Sequence, residues 1–256
     1  MSTILKRRFS KPIRKRGYMI YLTGDIHGSF DIHKLSSDYF PDGKNLTKSD
    51  YLIILGDFGL VWKRYPSDDE KYWLNWLSNK PWTTLVVPGN HENWDLIYEL
   101  PEEEKFGSRI RKVNDSVYMF NRGEIYTIDG STFFTMGGAY SIDKLQRTAG
   151  MTWWDREQPS YSEYMYGLDN LEKNGWKVDY ILGHTCPKSV ANEYCNIHTL
   201  SKDLLHKCFV MKYFDEVVSK TKFKAFYFGH WHDDMELSLN DNRYIMMYYG
   251  IKKLGD

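Results

Sequence analysis

Apolar residues along this chain come in short blocks, each closed by a turn residue. Tyr18–Thr23 (YMIYLT), Tyr51–Leu55 (YLIIL) and Thr84–Val87 (TLVV) are each followed at once by Gly or Pro-Gly. Blocks of this kind, with no polar alternation, are the pattern of strands buried on both faces. Between the second and third, Asp68–Ser78 sets Trp73, Leu74 and Leu77 on one side at helical spacing. Strand, loop, helix and strand in this order predict a parallel sheet covered by helices.

After Arg109 the rhythm changes. Val117–Phe120, Ile125–Ile128 and Thr132–Met136 are separated by Asn121-Arg122-Gly123 and Asp129-Gly130, which predicts an antiparallel meander. Residues 137–160 are rich in Gly, Trp and polar groups and carry no period, so they form a long functional loop. A helix is expected over Tyr161–Lys173, a strand over Val178–Leu182, a second helix over Leu200–Ser219 and a strand over Ala225–Phe228. A hairpin of Met235–Leu239 and Tyr244–Tyr249, turned at Asn240-Asp241, closes the chain. The expected architecture is α/β: two sheets packed face to face with helices outside.

Composition narrows the class. The chain has 256 residues, 42% apolar and 16% aromatic, ample for one core and against general disorder. No apolar run approaches the length of a membrane span, and the N-terminus lacks the apolar stretch of a secretory signal. Cys186, Cys195 and Cys208 are odd in number and unpaired in spacing, the usage of reduced thiols in a cytoplasmic protein. The formal net charge is zero, but seven of the 34 Lys and Arg lie in the first 16 residues, before any acid. Residues 1–17 are therefore expected to be a basic arm, able to touch nucleic acid, on a single domain over 18–256 whose net charge is negative. The acidic residues Glu92, Asp95, Glu99 and Glu102–Glu104 are expected on a solvated helix face.

The chemistry sits where strands finish. Gly24-Asp25-Ile26-His27-Gly28, Gly56-Asp57, Gly89-Asn90-His91-Glu92, Gly183-His184 and Gly229-His230-Trp231-His232 each follow an apolar block. Ligand sites of open α/β sheets lie beyond the carboxyl ends of strands, so these loops can converge. The Gly before each polar residue is expected to let the backbone turn sharply. Asp and His together favour divalent Mn, Fe or Zn over calcium, and one carboxylate can bridge two such ions. A bound pair would give hydroxide at neutral pH and clamp phosphoryl oxygens. Taken singly, Asp25 also fits a turn, Asn90 a helix cap and His184 a core histidine.

The five motifs, in this order, resemble the calcineurin-like metallophosphoesterase superfamily. The resemblance implies a four-layer α-β-β-α sandwich of two mixed sheets and a site for two divalent metals, Mn, Fe or Zn. By position it implies Asp25, His27, Asp57 and His232 on one metal, and Asp57, Asn90, His184 and His230 on the other. Asp57 is then the bridge. His91 matches a residue that faces the substrate, protonating the leaving oxygen or stabilising charge on the phosphoryl group.

The chain departs from the Ser/Thr protein phosphatase branch of that superfamily. There, an acid stands three residues after the second motif's Asp and is followed by Arg; here Leu60 and Val61 occupy those places. The orienting partner of His91 and the phosphate-binding cation must come from elsewhere. Gly137–Gln158, which resembles a block of bacterial and phage-type members, offers Arg147 and Arg156 for phosphate. Tyr140, Trp153 and Trp154 offer an aromatic wall on which a base could stack, unless the Trp pair fills a core under the loop. The reading is a phosphoesterase for monoesters or diesters of small molecules or nucleotides. The alternatives are a nuclease or cyclic nucleotide phosphodiesterase, and, in another class, a non-catalytic metal-binding interaction module.

Overall fold

The computed structural model describes residues 17–256, so the basic arm lies, all but Gly17, outside the described residues. The first apolar blocks become β1 (Ile20–Thr23), β2 (Tyr51–Ile54) and β3 (Thr83–Val86). They pair in parallel, with Tyr21 against Leu52 and Leu52 against Thr84. Helix α1 (Asp68–Ser78) starts where the sequence places it, because Ser67 and Glu70 form a reciprocal capping box. A short α2 (Trp94–Glu99) follows β3.

The acidic stretch Glu102–Glu104 is not on a helix. It forms β4 (Glu102–Lys105), hairpinned to β5 (Ser108–Asn114) at the edge of the first sheet. Three consecutive Glu disfavour a strand, but Glu102 pairs across the hairpin with both Arg109 and Arg111. The expected meander is also corrected. β6 (Val117–Phe120) pairs with β3 and β5, whereas β7 (Ile125–Ile128) and β8 (Ser131–Met136) belong to the second sheet. Asn121–Gly123 is thus a crossing between sheets, while Asp129-Gly130 is a true hairpin turn with both residues at positive φ.

Helix α3 (Tyr161–Lys173) carries a second capping box, Ser160 with Glu163, and leads to β9 (Tyr180–Gly183). An unexpected helix, α4 (Lys188–Ile197), comes next, and the helix expected over Leu200–Ser219 is confined to α5 (Phe209–Lys220). Thr199 at φ 54° turns the chain out of α4, and residues 198–208 run irregularly. β10 (Ala225–Phe228) and β11 (Met235–Leu239) follow as expected, and β12 spans Asn242–Met246 where Tyr244–Tyr249 was expected. A further strand, β13 (Ile251–Lys253), returns to pair with β1.

Among the described residues the first sheet has the order β13-β1-β2-β3-β6-β5-β4 and the second β11-β12-β10-β9-β8-β7. Both are mixed, with parallel centres and antiparallel edges. Strand alternation sorts the core into layers. Leu22, Ile53, Leu85, Phe133, Leu182 and Tyr227 fill the space between the sheets. Leu52, Ile54 and Val86 point outward onto Trp73, Leu77 and Trp94 of α1 and α2. Phe226 and Phe228 pack outward on Phe214 and Val217 of α5. This is the α-β-β-α sandwich the motifs implied.

The loop of residues 137–158 is held down by the buried Arg122. Its guanidinium donates to the carbonyls of Gly137, Arg156 and Glu157 at 3.2, 2.9 and 2.9 Å and stacks 3.5 Å from the Trp94 ring. It also pairs with Glu163 at 3.4 Å. Arg122→Ala should cost about 3 kcal/mol, because buried acceptors and a carboxylate lose their donor. The expected result is a lower urea midpoint with the slope of the transition unchanged.

Candidate metal and phosphate site

Five parallel strands end on one side of the sandwich. Asp25 and His27 follow β1, Asp57 follows β2, Asn90 and His91 follow β3, His184 follows β9, and His230 and His232 follow β10. The loops are stitched together: His27 N–H donates to the Asp57 carbonyl at 2.7 Å, and Gly229 N–H to the His184 carbonyl at 2.9 Å. His27, Asp57, His230 and His232 all take positive φ, between 40° and 72°. Non-glycine residues avoid that region, and strain of this kind gathers where side chains must be aimed at one point.

The glycines of the motifs serve mainly as space. A Cβ at Gly89 would lie 2.0 Å from Asp57 Oδ1, one at Gly229 2.2 Å from Asp25 Oδ1, and one at Gly56 1.8 Å from His184 Nδ1. Of the six, only Gly56 and Gly28 have a positive φ. Gly56, Gly89 and Gly229 thus make room for a side chain delivered by another strand, whereas Gly24 makes room for the Met247 backbone.

The carboxylate of Asp57 lies at the centre. Its Oδ1 is 3.4 Å from His184 Nε2, and its Oδ2 is 3.5 Å from His27 Nε2. The buried Asp25 has Oδ2 at 3.2 Å from His232 Nε2 and Oδ1 at 3.8 Å from His184 Nδ1. Asn90 Oδ1 is 2.8 Å from His184 Nε2, aimed there because Asn90 Nδ2 donates to Ser141 Oγ. Asp25, His27 and His232 form one tight group, and Asp25, Asp57 and His184 another. His230 lies against the His184 ring at 4.9 Å between centroids.

Tautomers follow from the outer partners. His184 Nδ1–H donates to the Leu55 carbonyl at 2.8 Å, and His27 Nδ1–H to Asp31 at 2.7 Å. Both leave Nε2 facing acceptor oxygens, the arrangement that carboxylate- or carbonyl-backed metal histidines adopt. Lone pairs facing lone pairs need a positive species between them, a proton or a metal ion. Mixed Asp, Asn and His donors suit borderline divalent cations, so the residues present fit the expected metals.

The same field shows in the titration behaviour. Burial alone would raise Asp57, but the surrounding His184, His27 and His91 outweigh it and hold the carboxyl well below its usual range. Burial pulls His27 down, yet Asp57, Asp25 and Asp31 win and push it up to about 9. Burial takes His230 down to about 3, leaving a neutral imidazole with a free lone pair.

His91 stands beside this cluster. Its backbone N–H donates to Asp57 Oδ1 at 2.8 Å, and burial holds its imidazole below the ordinary value. Glu92 does not orient it. That carboxyl turns inward to the N–H groups of Phe58, Gly59 and Gly89, at 2.6, 3.2 and 3.4 Å, and burial pushes it up to about 8. It is a buried brace, not part of a solvated helix face. Leu60 is buried in the core, so the place of the missing acid is spent on packing.

Of the candidates for phosphate, Arg147 is brought in. Its Nη2 lies 3.4 Å from His91 Nε2 and is held at 2.7 Å by Asp143. Arg156 is mostly exposed, pairs with Asp95 at 3.6 Å and lines a separate surface depression with Tyr98. Tyr140 lines a cavity of about 510 Å³ that opens from Asp57, Asn90, His91 and His232. Trp154 is core, packed on Trp62, and Trp153 lies under Lys144. His33, His198 and His206 take no place in the cluster, and the three cysteines are free and buried.

Two participants left no trace in the sequence. Lys34 Nζ donates to the carbonyls of Gly24, Asp25 and Tyr248, tying the first motif to the C-terminal crossing. Tyr248 then stacks on His232 with centroids 4.5 Å apart. Asp143 had one faint signal, an acid four residues before Arg147.

The comparisons with known proteins accord with this geometry. The calcineurin-like phosphoesterase family profile matches residues 18–234, which include all five motifs. No curated protein matches the sequence. Among solved structures, the phosphopantetheinyl hydrolase (PptH) from Mycobacterium tuberculosis is similar in fold, with 14% identity, a TM-score of 0.52 and coverage of 94% of this chain and 97% of that one. Among the described residues no helix is long and apolar enough to cross a membrane. The chain belongs to the calcineurin-like phosphoesterase family and is a phosphoester hydrolase.

Proposed function

We propose that residues 18–256 form a single catalytic domain hydrolysing phosphate esters of small molecules with two divalent metals. The observation that carries this reading is the position of Asp57, whose two oxygens face different histidines, His184 and His27. A shared carboxylate is what a two-metal site requires. Asp25, His27, Asp57 and His232 would hold one ion, and Asp57, Asn90, His184 and His230 the other. Mn, Fe or Zn bound there would supply Lewis acidity and lower the pKa of a coordinated water towards neutrality.

The remaining roles belong to the chain's own side chains. His91 faces the cavity and assists the leaving oxygen or the phosphoryl charge. Arg147 binds a phosphoryl oxygen beside it, and Asp143 aims the guanidinium. This pair would replace the acid and Arg that the protein phosphatase branch carries after its second motif. The retained ligand set argues against a non-catalytic module. The nuclease reading rests on the basic arm, and no further observation favours it.

The test is metal analysis beside hydrolysis of p-nitrophenyl phosphate and bis-p-nitrophenyl phosphate with Mn, Fe or Zn. Two equivalents of metal per chain and turnover of either ester are expected; a folded protein holding one equivalent or none would overturn the two-metal assignment. Arg147→Ala should raise KM about tenfold or more, the worth of one charge-assisted hydrogen bond. Arg156→Ala should leave both constants unchanged. The opposite ranking would move the phosphate contact to Arg156.

A further inference from the structure

The cavity beside the metal ligands has two chemically different ends. Its floor is Asp57, Asn90, His91, His230 and His232. Its wall is Ile142, Leu200, Leu204, Leu205, Met211 and Trp231, contributed by the 137–158 loop, the 198–208 connection, α5 and the last motif. At about 510 Å³ it has the capacity of a small-molecule site. Leu205 and Met211 are buried, but Ile142, Leu200 and Leu204 are 72, 49 and 39% exposed. Three apolar side chains left in water around one opening gain free energy when an apolar group covers them.

Charge points the same way. The lining residues include no Lys or Arg, and the Asp143 carboxylate at the wall is paired with Arg147 at 2.7 Å. Arg147 serves the His91 end. Lys144 and Lys207 approach the Tyr140 ring, at 5.5 and 5.9 Å from its centroid. A second phosphate seated against Ile142, Leu200 and Leu204 would therefore meet apolar wall with no cation among the lining residues.

We infer that the substrate carries a single phosphoryl group joined to an uncharged apolar chain or ring, which seats against Ile142, Leu200 and Leu204. This rests on the phosphoesterase reading and sharpens its substrate class. It sets nucleoside di- and triphosphates and nucleic acid aside.

Binding of n-alkylphosphonates to the Mn-loaded protein tests the inference apart from catalysis, since a C–P bond is not an ester. By calorimetry, Kd should fall about two- to fourfold per methylene from ethyl to octyl, the gain from burying CH₂ groups, until the cavity fills. Leu204→Asp and Ile142→Asp, at exposed positions that tolerate a polar residue, should each reduce that slope. A Kd independent of chain length, or a slope intact in both variants, would overturn the inference. So would 1,8-octanebisphosphonate binding as tightly as octylphosphonate, which would make Lys144 and Lys207 a second anion site. Chain-length-dependent binding without hydrolysis of any phosphate ester would count against the catalytic reading and still support the pocket.

Discussion

Asp57→Asn should lower kcat/KM by about 10³-fold or more and reduce bound metal to one equivalent or less, while the metal-free protein keeps its fold. The side chain is nearly isosteric, so the acceptor for the His91 N–H at 2.8 Å survives. What disappears is the negative charge between His27 and His184, and with it an anionic bridge for two cations. Gly89→Ala reaches the same oxygen by another route. Its new Cβ would lie 2.0 Å from Asp57 Oδ1 and 2.3 Å from the Asp57 nitrogen, so the carboxylate and its loop must move. Metal content should fall with activity in both variants, read by elemental analysis beside circular dichroism. Wild-type metal content in Asp57→Asn would remove Asp57 from the bridging position.

His91→Ala should behave differently. The two metal equivalents should stay, because the residue contributes its backbone N–H to Asp57 and its ring to the cavity. The expected loss is about 10²- to 10⁴-fold in kcat, the range of a general acid. Its dependence on the leaving group separates two roles. A proton donor matters most for a poor leaving group, so alkyl phosphates should lose far more than p-nitrophenyl phosphate. Equal losses on both would assign His91 to phosphoryl charge stabilisation instead. Wild-type kcat on an alkyl phosphate would exclude both roles.

Much of the fold was legible because its signals are local. Apolar blocks ended by glycine marked β1, β2, β3 and β10, and the helical spacing of Trp73, Leu74 and Leu77 marked α1. Asp129-Gly130 and Asn240-Asp241 marked hairpins, since both pairs adopt the positive φ such turns need. The misplaced elements were those whose state depends on distant partners. Glu102–Glu104 became strand because β5 lay beside it, and β6 and β7 parted because different sheets claimed them. Leu200–Ser219 read as one helix from composition, yet residues 198–208 bend to wall the cavity.

The site divides along the same line. The sequence by itself determined which residues could bind metal, because Asp, Asn and His after strand ends are read locally and their order is specific. By resemblance, it also set Leu60 and Val61 where the protein phosphatase branch carries an acid and an Arg. Only the tertiary structure decided where the proposed replacements stand and what the glycines are for. Arg147 meets His91 across 56 residues, His184 meets Leu55 across 129, and His230 meets Asp25 across 205. Distances of that kind are set by how two sheets pack and which loops they bring together. Periodicity and turn chemistry extend over a few residues, so the chain could announce its candidate ligands but not the wall of the cavity they face.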